Sequence, residues 1–469
     1  MRYDLIIKNG IIVTPKQSFK GGVAVSSGII AKIYNYEEKK YKFDMDTADY
    51  IYDAQGKHLL PGIIDAHVHF RDPGLTEKED FETGSMAAAM GGITMVADMP
   101  NVIPVTSSVE RFNEKNAIAS EKSFIDFALF ALLTDDNLEE IEGLKNAGAL
   151  GFKVFFGTST GDIACPSLPV LITQMQKSAE LGMRLGFHCE TSELSSFFKK
   201  KCRPQTSFSQ TEFTQNLFAQ TKFADSVYDS GLLLTETRPV FSEALAIQTV
   251  ICYAKYTGAK IHIHHITSSD GLALVSDAKQ KGIDISAETC PHYLLLDAET
   301  SINKVYPPIR TKKHRIALWE AIEKKIIDMI ASDHAPHTAA EKALPLWDMP
   351  AGLCGVETLI PLLLNEVNKG SLSLNDFTRL ASENPAKIWG IYPQKGSLEP
   401  GADADITIVD MNKKITIKKE KLYSKSKTSP YDGMKVQGAA VATIVRGKFV
   451  MKDGELTGEK GYGVLVSPM

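Results

Sequence analysis

Residues 62–74 read GIIDAHVHFRDPG. The run is apolar, sets His67 and His69 near its C-terminal end, and then turns at Asp72-Pro73-Gly74. In a strand, residues two apart share a face and lie about 7 Å from one another, so both imidazoles point the same way. Arg71 continues that parity. Similar runs recur outward along the chain: GITMVADM (92–99), FIDFALFALL (124–133), GFKVFF (151–156), RLGFHC (184–189), KIHIHHI (260–266), IDISAETC (283–290) and IDMIASD (327–333). Helix-permissive stretches such as EDFETGSMAAAMG (79–91) and RIALWEAIEKK (315–325) separate most of them. Strands that are apolar throughout and alternate with helices form a parallel sheet covered on both faces. Eight such units predict an α/β fold of the (β/α)8 TIM-barrel type rather than an open doubly wound sheet. No GxGxxG or P-loop follows the early strands, which argues against a nucleotide site.

The two ends have a different texture. DLIIKNGIIV (4–13) reads as a hairpin around Asn9-Gly10, and VAVSSGIIAKIY (23–34) as another. ADADITIVDM (402–411) and AAVATIVRGKFVMKDGEL (439–456) repeat this pattern of β-branched residues and glycine turns. The expected organisation is a small β-sandwich assembled from residues 1–58 and 393–469, with the barrel over 59–392. The interval 190–238 is longer than a barrel connection requires. Its Phe197, Phe198, Phe208 and Phe213 suit an extra helical hairpin, an oligomer contact or a substrate lid, and the residues do not choose among these.

The 469 residues are 43% hydrophobic and 23% charged, an ordinary soluble globular balance. A net charge of −5 gives no general attraction to nucleic acid or an anionic membrane. No window approaches about 18 uninterrupted apolar residues, and the start lacks the pattern of a signal peptide. Six scattered cysteines without a CxxC pair suit free thiols in a reducing cytoplasm, the expected location.

The chemistry gathers at the strand ends. His188 ends the fifth run, His265 the sixth and Asp333 the eighth. With His67 and His69 they place five nitrogen or oxygen donors on the C-terminal rim, where barrel active sites lie. Lys153 sits inside the fourth run among Phe152, Val154, Phe155 and Phe156. A buried ammonium there is costly, and desolvation lowers its pKa. The neutral amine can take up carbon dioxide, and the resulting carbamate has two oxygens able to bridge two divalent ions.

Taken in order, GIIDAHVHFRDPG, GFKVFFG, GFHCE, HIHHITS and SDHAPH resemble the cyclic-amide branch of the amidohydrolase superfamily, and within it most closely the dihydroorotases. The resemblance extends to SPYDGMKVQG (429–438) and RGKFV (446–450). It implies one zinc ion on His67, His69, carboxylated Lys153 and Asp333, and a second on Lys153, His188 and His265. Nitrogen and oxygen donors suit zinc while remaining compatible with manganese or cobalt. The last histidine of HIHH is the family ligand, leaving His262 and His264 outside the set. His292, in CPHYLLL, matches a supporting histidine. The resemblance further implies water activated between the ions and a proton carried by Asp333.

For a dihydroorotate or carbamoyl-aspartate substrate, the family pattern assigns the carboxylate to Arg71, Asn101 and His337. It assigns backbone contacts with the ring amide to Ala351 and Gly352. The bland alternative for Arg71 is a surface salt bridge with Asp72 or Glu77. Allantoinases and hydantoinases lack this arginine, so they rank second, and a catalytically silent scaffold ranks third because all six ligands are present. One departure stands out: dihydroorotases often carry Asn before the paired prolines, where this chain has Tyr306. The expected partners are a small-molecule substrate, further copies in a dimer or tetramer, and an aspartate transcarbamoylase. Nucleic acid and membrane are not expected partners.

Overall fold

The computed structural model describes residues 2–37, 47–157, 163–202 and 231–469. Phe208 and Phe213 lie outside them. In the chain's middle, β6 (Ile63–Val68), β7 (Ile93–Asp98) and β8 (Asp126–Leu129) form a parallel three-stranded sheet. A second parallel sheet runs in the order β14 (Met329–Ile330), β13 (Ile285–Thr289), β12 (Lys260–Ile263), β11 (Arg184–His188), β10 (Phe152–Phe155) and β9 (Ala131–Leu132). The run FIDFALFALL contributes both β8 and β9, interrupted only at Phe130.

Backbone contacts cross both gaps between the two sheets. On one side Leu150 N, just ahead of β10, donates to Leu129 O at the end of β8 at 2.9 Å. On the other side Val68 and His334 form a parallel bridge, and His69 N donates to His334 O at 2.7 Å. Every residue of β6, β7, β8, β10 and β13 is buried, as strands covered on both faces require.

Helices follow the strands where the composition permits them. In the helix Phe81–Gly91, Asp80 accepts from Thr83 N at the start and Gly92, at φ 100°, closes the end. The stretch 315–325 falls largely within the helix Lys312–Glu323. Helices Ser192–Cys202 and Gly231–Thr237 flank the undescribed part of the 190–238 interval, and Phe198 packs edge-on against Phe241.

The two chain ends pair into one nine-stranded sheet. Its ladder runs β18 (Glu455–Leu456), β17 (Lys448–Lys452), β16 (Lys435–Val445), β15 (Ile406–Thr416), β5 (His58–Pro61), β1 (Arg2–Val13), β2 (Ser18–Ser26) and β3 (Ile29–Asn35), and β4 (Thr47–Asp53) pairs with β1. The ladder is continuous, whereas a sandwich reading expects two separate sheets. Even so, Val23 and Val25 of β2 share one apolar core with Val441 and Ala442 of β16, so the sheet curls about its own interior.

The hairpin expected at Asn9-Gly10 is not formed. β1 continues through it, with Asn9 at φ 56° and a register shift between Ile7 and Gly10. A bulge uses the same Asn-Gly permissiveness as a turn. Here parallel pairing of β1 with β4 and β5 holds the strand extended. The second hairpin is formed, turning at Ser27 and Gly28, both at positive φ.

Candidate metal centre and substrate pocket

A pocket of about 450 Å³, counted to its open mouth, lies at the C-terminal ends of the parallel strands. It is lined by His67, His69, Lys153, His188, His265 and Asp333, and by Arg71, Asn101, Ala351 and Gly352. Phe155, Val305, Tyr306 and Ala335 complete the wall. His337 is the one expected site residue that does not line it. It is buried behind the loop, where its Nε2 donates to Ala351 O at 3.0 Å.

Arg71 follows β6 and Asp333 follows β14; both are non-glycine residues in the left-handed region, at φ 62° and 46°. His265 follows β12 at φ 38°. Such conformations cost about 1–3 kcal/mol each and persist where the surroundings enforce them. They break strand parity and let residues just past a strand end face the pocket. This explains how His265 can line the pocket while His262 and His264 do not.

The imidazoles are oriented from behind. His67 Nδ1 contacts Glu288 Oε1, and His69 Nδ1 lies 2.7 Å from Asn101 Oδ1. His188 Nε2 lies 3.0 Å from Glu190 Oε2, which also pairs with Arg238. With those nitrogens occupied, the opposite edges converge. His67 Nε2 and His69 Nε2 stand 3.5 and 3.4 Å from Asp333 Oδ1, and His188 Nδ1 stands 3.0 Å from His265 Nε2. Two donors each about 2.1 Å from one tetrahedral zinc ion are themselves roughly 3.4 Å apart. Both groups therefore have the spacing of a shared cation, and the oxygen acceptor behind His67, His69 and His188 is the usual support for a metal-bound histidine; His265 Nδ1 has no such partner among the described residues.

Electrostatics points the same way. Burial lowers the pKa of His67, His69, His188 and His265, keeping them neutral and able to donate a lone pair. Burial opposes ionisation of Asp333, but the hydrogen bond to His69 and the positive surroundings, the Lys153 ammonium among them, outweigh it and hold the carboxyl below its ordinary value. Burial brings Lys153 down to about 8, and its Nζ has no hydrogen-bond partner among the described residues. An orphaned amine lining the same pocket as the two donor groups fits a bridging role, and the whole set fits two divalent cations.

Glu288 is a residue that the sequence reading passed over. It is fully buried; Oε1 faces His67 Nδ1 and lies 3.0 Å from His264 Nδ1, while Oε2 lies 3.1 Å from His262 Nε2. Burial pushes its carboxyl well above the usual range. His262 and His264 thus hold Glu288, and Glu288 holds His67.

On the substrate side, Arg71 is only 2% exposed and its Nε donates to Pro336 O at 3.3 Å. The surface salt bridge is not formed: Asp72 pairs with Lys122 at 2.7 Å, and Arg71 makes no ion pair with either Asp72 or Glu77. Asn101 spends its carbonyl on His69, leaving its NH2 as the donor for a ligand. Gly352 stands at φ 145°, and a Cβ there would come within 2.2 Å of Ala335 O. Its N–H donates to Lys304 O and its carbonyl accepts from Lys342 Nζ, both at 2.9 Å. In the pocket wall, the Tyr306 ring carries the Arg238 guanidinium over its face, with Cζ 3.4 Å from the ring centroid.

Residues 58–450 match the model of the amidohydrolase family. An L-hydantoinase of Paenarthrobacter aurescens is 34% identical over 99% of this chain and 98% of its own length. A dihydroorotase of Acetivibrio thermocellus is 32% identical over 96% of this chain and 99% of its own. The crystallised L-hydantoinase (dihydropyrimidinase) of Arthrobacter aurescens superposes with a TM-score of 0.90 at 32% identity, covering 99% of this chain and all of that one. The convergent histidines, Lys153 and Asp333 are thus set in a chain that belongs to the amidohydrolase family.

Proposed function

We propose that this chain is a metal-dependent hydrolase of cyclic amides, and specifically a dihydroorotase, interconverting dihydroorotate and N-carbamoyl-aspartate. The backbone bonds across both sheet gaps support reading its parallel strands as one closed (β/α)8 barrel. The observation that carries the substrate assignment is Arg71, a buried guanidinium lining the pocket with no carboxylate partner among the described residues. A cyclic amide bearing a carboxylate supplies that partner through charge-assisted hydrogen bonds. The Asn101 NH2 adds a donor beside it. His337 braces the Ala351 carbonyl, whose remaining lone pair can accept from the ring N–H.

Two divalent ions, zinc by the donor chemistry, held on His67, His69 and Asp333 and on His188 and His265 with carboxylated Lys153 between them, would supply an activated water and an electrophile for the amide oxygen. Asp333 accepts the proton of the attacking water and returns it to the leaving ring nitrogen. As a carboxylate at neutral pH it is ready for the first of these transfers. Neutral histidines around it add no competing proton.

Tyr306 favours a second reading, an allantoinase or hydantoinase-like amidase. The residue presents an aromatic face where dihydroorotases often place an amide, and stacking on Arg238 holds it in the pocket wall. A panel of dihydroorotate, carbamoyl-aspartate, allantoin and hydantoin, run at known metal content, decides between them. Turnover of the first two alone supports the dihydroorotase. Turnover of allantoin or hydantoin without dihydroorotate overturns it, and an absence of stoichiometric metal after chelator-free purification favours an inactive scaffold.

A further inference from the structure

Close to Asp333, two further donors remain unused by the catalytic reading. Strand β13 ends at Thr289, and Cys290 caps the short helix Pro291–Leu295. The fixed backbone of Pro291 at the helix start sets His292 two residues beyond the thiol. Cys290 and His292 are 0% and 3% exposed, and His292 Nε2 has no hydrogen-bond partner among the described residues. One donor atom from each of Cys290, His292 and Asp333 lies within 4.8 Å of the others.

We infer that Cys290, His292 and Asp333 form a further cation site, selective for thiophilic divalent ions, that shares Asp333 with the catalytic centre and inhibits the enzyme when filled. The two sites differ in donor chemistry. His67, His69, His188 and His265 offer nitrogen and Asp333 oxygen, which zinc, manganese and cobalt all accept. Sulfur adds little for hard ions and much for cadmium, mercury or excess zinc. Zinc holds sulfur at about 2.3 Å and nitrogen or oxygen at about 2.0–2.2 Å. Donors within 4.8 Å reach such distances through side-chain rotation of about an ångström.

Binding exchanges one thiol proton for the cation, forming a metal–sulfur bond with no change of oxidation state. The Asp333 carboxylate then serves a second cation and cannot take up a proton from water. Inhibition is accordingly non-competitive with substrate and reversed by a chelator that leaves the resident metals in place.

The inhibitory part rests on the catalytic role proposed for Asp333; the binding part does not, so the two are read separately. The metal-loaded full-length chain is titrated with cadmium. Bound cadmium, thiolate-to-metal charge-transfer absorption and turnover of whichever cyclic amide the panel identifies are measured together. The expected result is one additional cadmium per chain, a thiolate band and at least tenfold inhibition. In Cys290→Ser the band disappears and the inhibitory cadmium concentration rises at least tenfold. Cys189→Ser, which alters another buried thiol, leaves both unchanged. Should Cys290→Ser fold poorly, His292→Gln carries the same test by removing the nitrogen donor, with the same tenfold loss of cadmium affinity. No thiolate band, or equal cadmium sensitivity in Cys290→Ser and the parent, overturns the site. A thiolate band without inhibition overturns the shared use of Asp333 while preserving the binding.

Discussion

Asp333 concentrates three demands in one side chain. It faces two histidine nitrogens, it stays ionised despite burial, and its backbone is held at positive φ just beyond a strand. Replacing it by Asn preserves volume while removing the proton acceptor and weakening one ligand. We expect turnover to fall by about 10²–10⁴-fold, the range of a positioned acid–base group, with the thermal unfolding midpoint of the metal-free chain little changed. Near-parental turnover in Asp333→Asn contradicts the role. Arg71→Ala should act on substrate charge instead. Losing hydrogen bonds to a carboxylate worth about 1.5–3 kcal/mol lowers kcat/KM for dihydroorotate by roughly 10–150-fold. A neutral cyclic imide should lose far less, and an equal loss on both makes Arg71 structural. Glu288→Gln tests the support behind His67. Outer partners of this kind are worth about 10–100-fold in metal affinity, readable by competition against a chelator, and unchanged affinity removes Glu288 from the centre.

At the scale of elements, what could be read from the sequence depended on whether strand parity survived to the residue in question. His67 and His69 were legible because β6 carries the alternation up to Val68. In KIHIHHI the strand ends at Ile263 and His265 turns at φ 38°, so spacing alone cannot separate it from His264, and only the family pattern distinguished them. Glu288 was hidden in a run read for its apolar residues. A signal existed, since His262 pairs in register with Ser286 and the next same-face positions bring His264 beside Glu288. Buried polar groups on neighbouring strands need each other as partners. The bulge at Asn9 was illegible because strands β4 and β5, distant in sequence, decide it. The loop carrying His337 has a testable consequence of its own. Burial depresses His337 from 6.5 to about 3, so between those values the unfolded chain binds the proton and the folded one does not. Stability is therefore full above about pH 6.5 and declines as the pH falls toward 3. His337→Gln, which keeps a donor for Ala351 O, should flatten that decline in denaturant midpoints measured from pH 7 to 4. An unaltered slope places the acid sensitivity elsewhere.

For the molecule as a whole, the question is what fastens the terminal sheet to the parallel strands. Part of the answer is apolar, but the junction also contains a buried charge cluster. Lys395 Nζ lies 2.5 Å from Asp126 Oδ2, 2.8 Å from Asp403 Oδ2 and 2.7 Å from Asp405 Oδ2, and Arg446 pairs with the other oxygen of Asp126. Asp126 opens β8, at the end of the strand opposite the pocket, whereas Asp405 leads into β15 and Arg446 follows β16. One ammonium therefore joins segments more than two hundred residues apart. Burial works against the charge on Lys395, but Asp405 and Asp403 outweigh it and raise the pKa of the amine above its ordinary value. Its worth lies less in net attraction than in the cost of its removal. Lys395→Met leaves three carboxylates facing one guanidinium in a dry interior, and breaking a buried pair in this way costs about 3–5 kcal/mol. We expect a lower urea midpoint, with turnover per folded molecule and metal content unchanged because the pocket lies at the far end of the strands. Adding Asp405→Asn to Lys395→Met should recover part of the loss, since it removes one of the stranded charges. An equal loss of stability in the single and double variants would mean that packing, not charge balance, sets the strength of this junction.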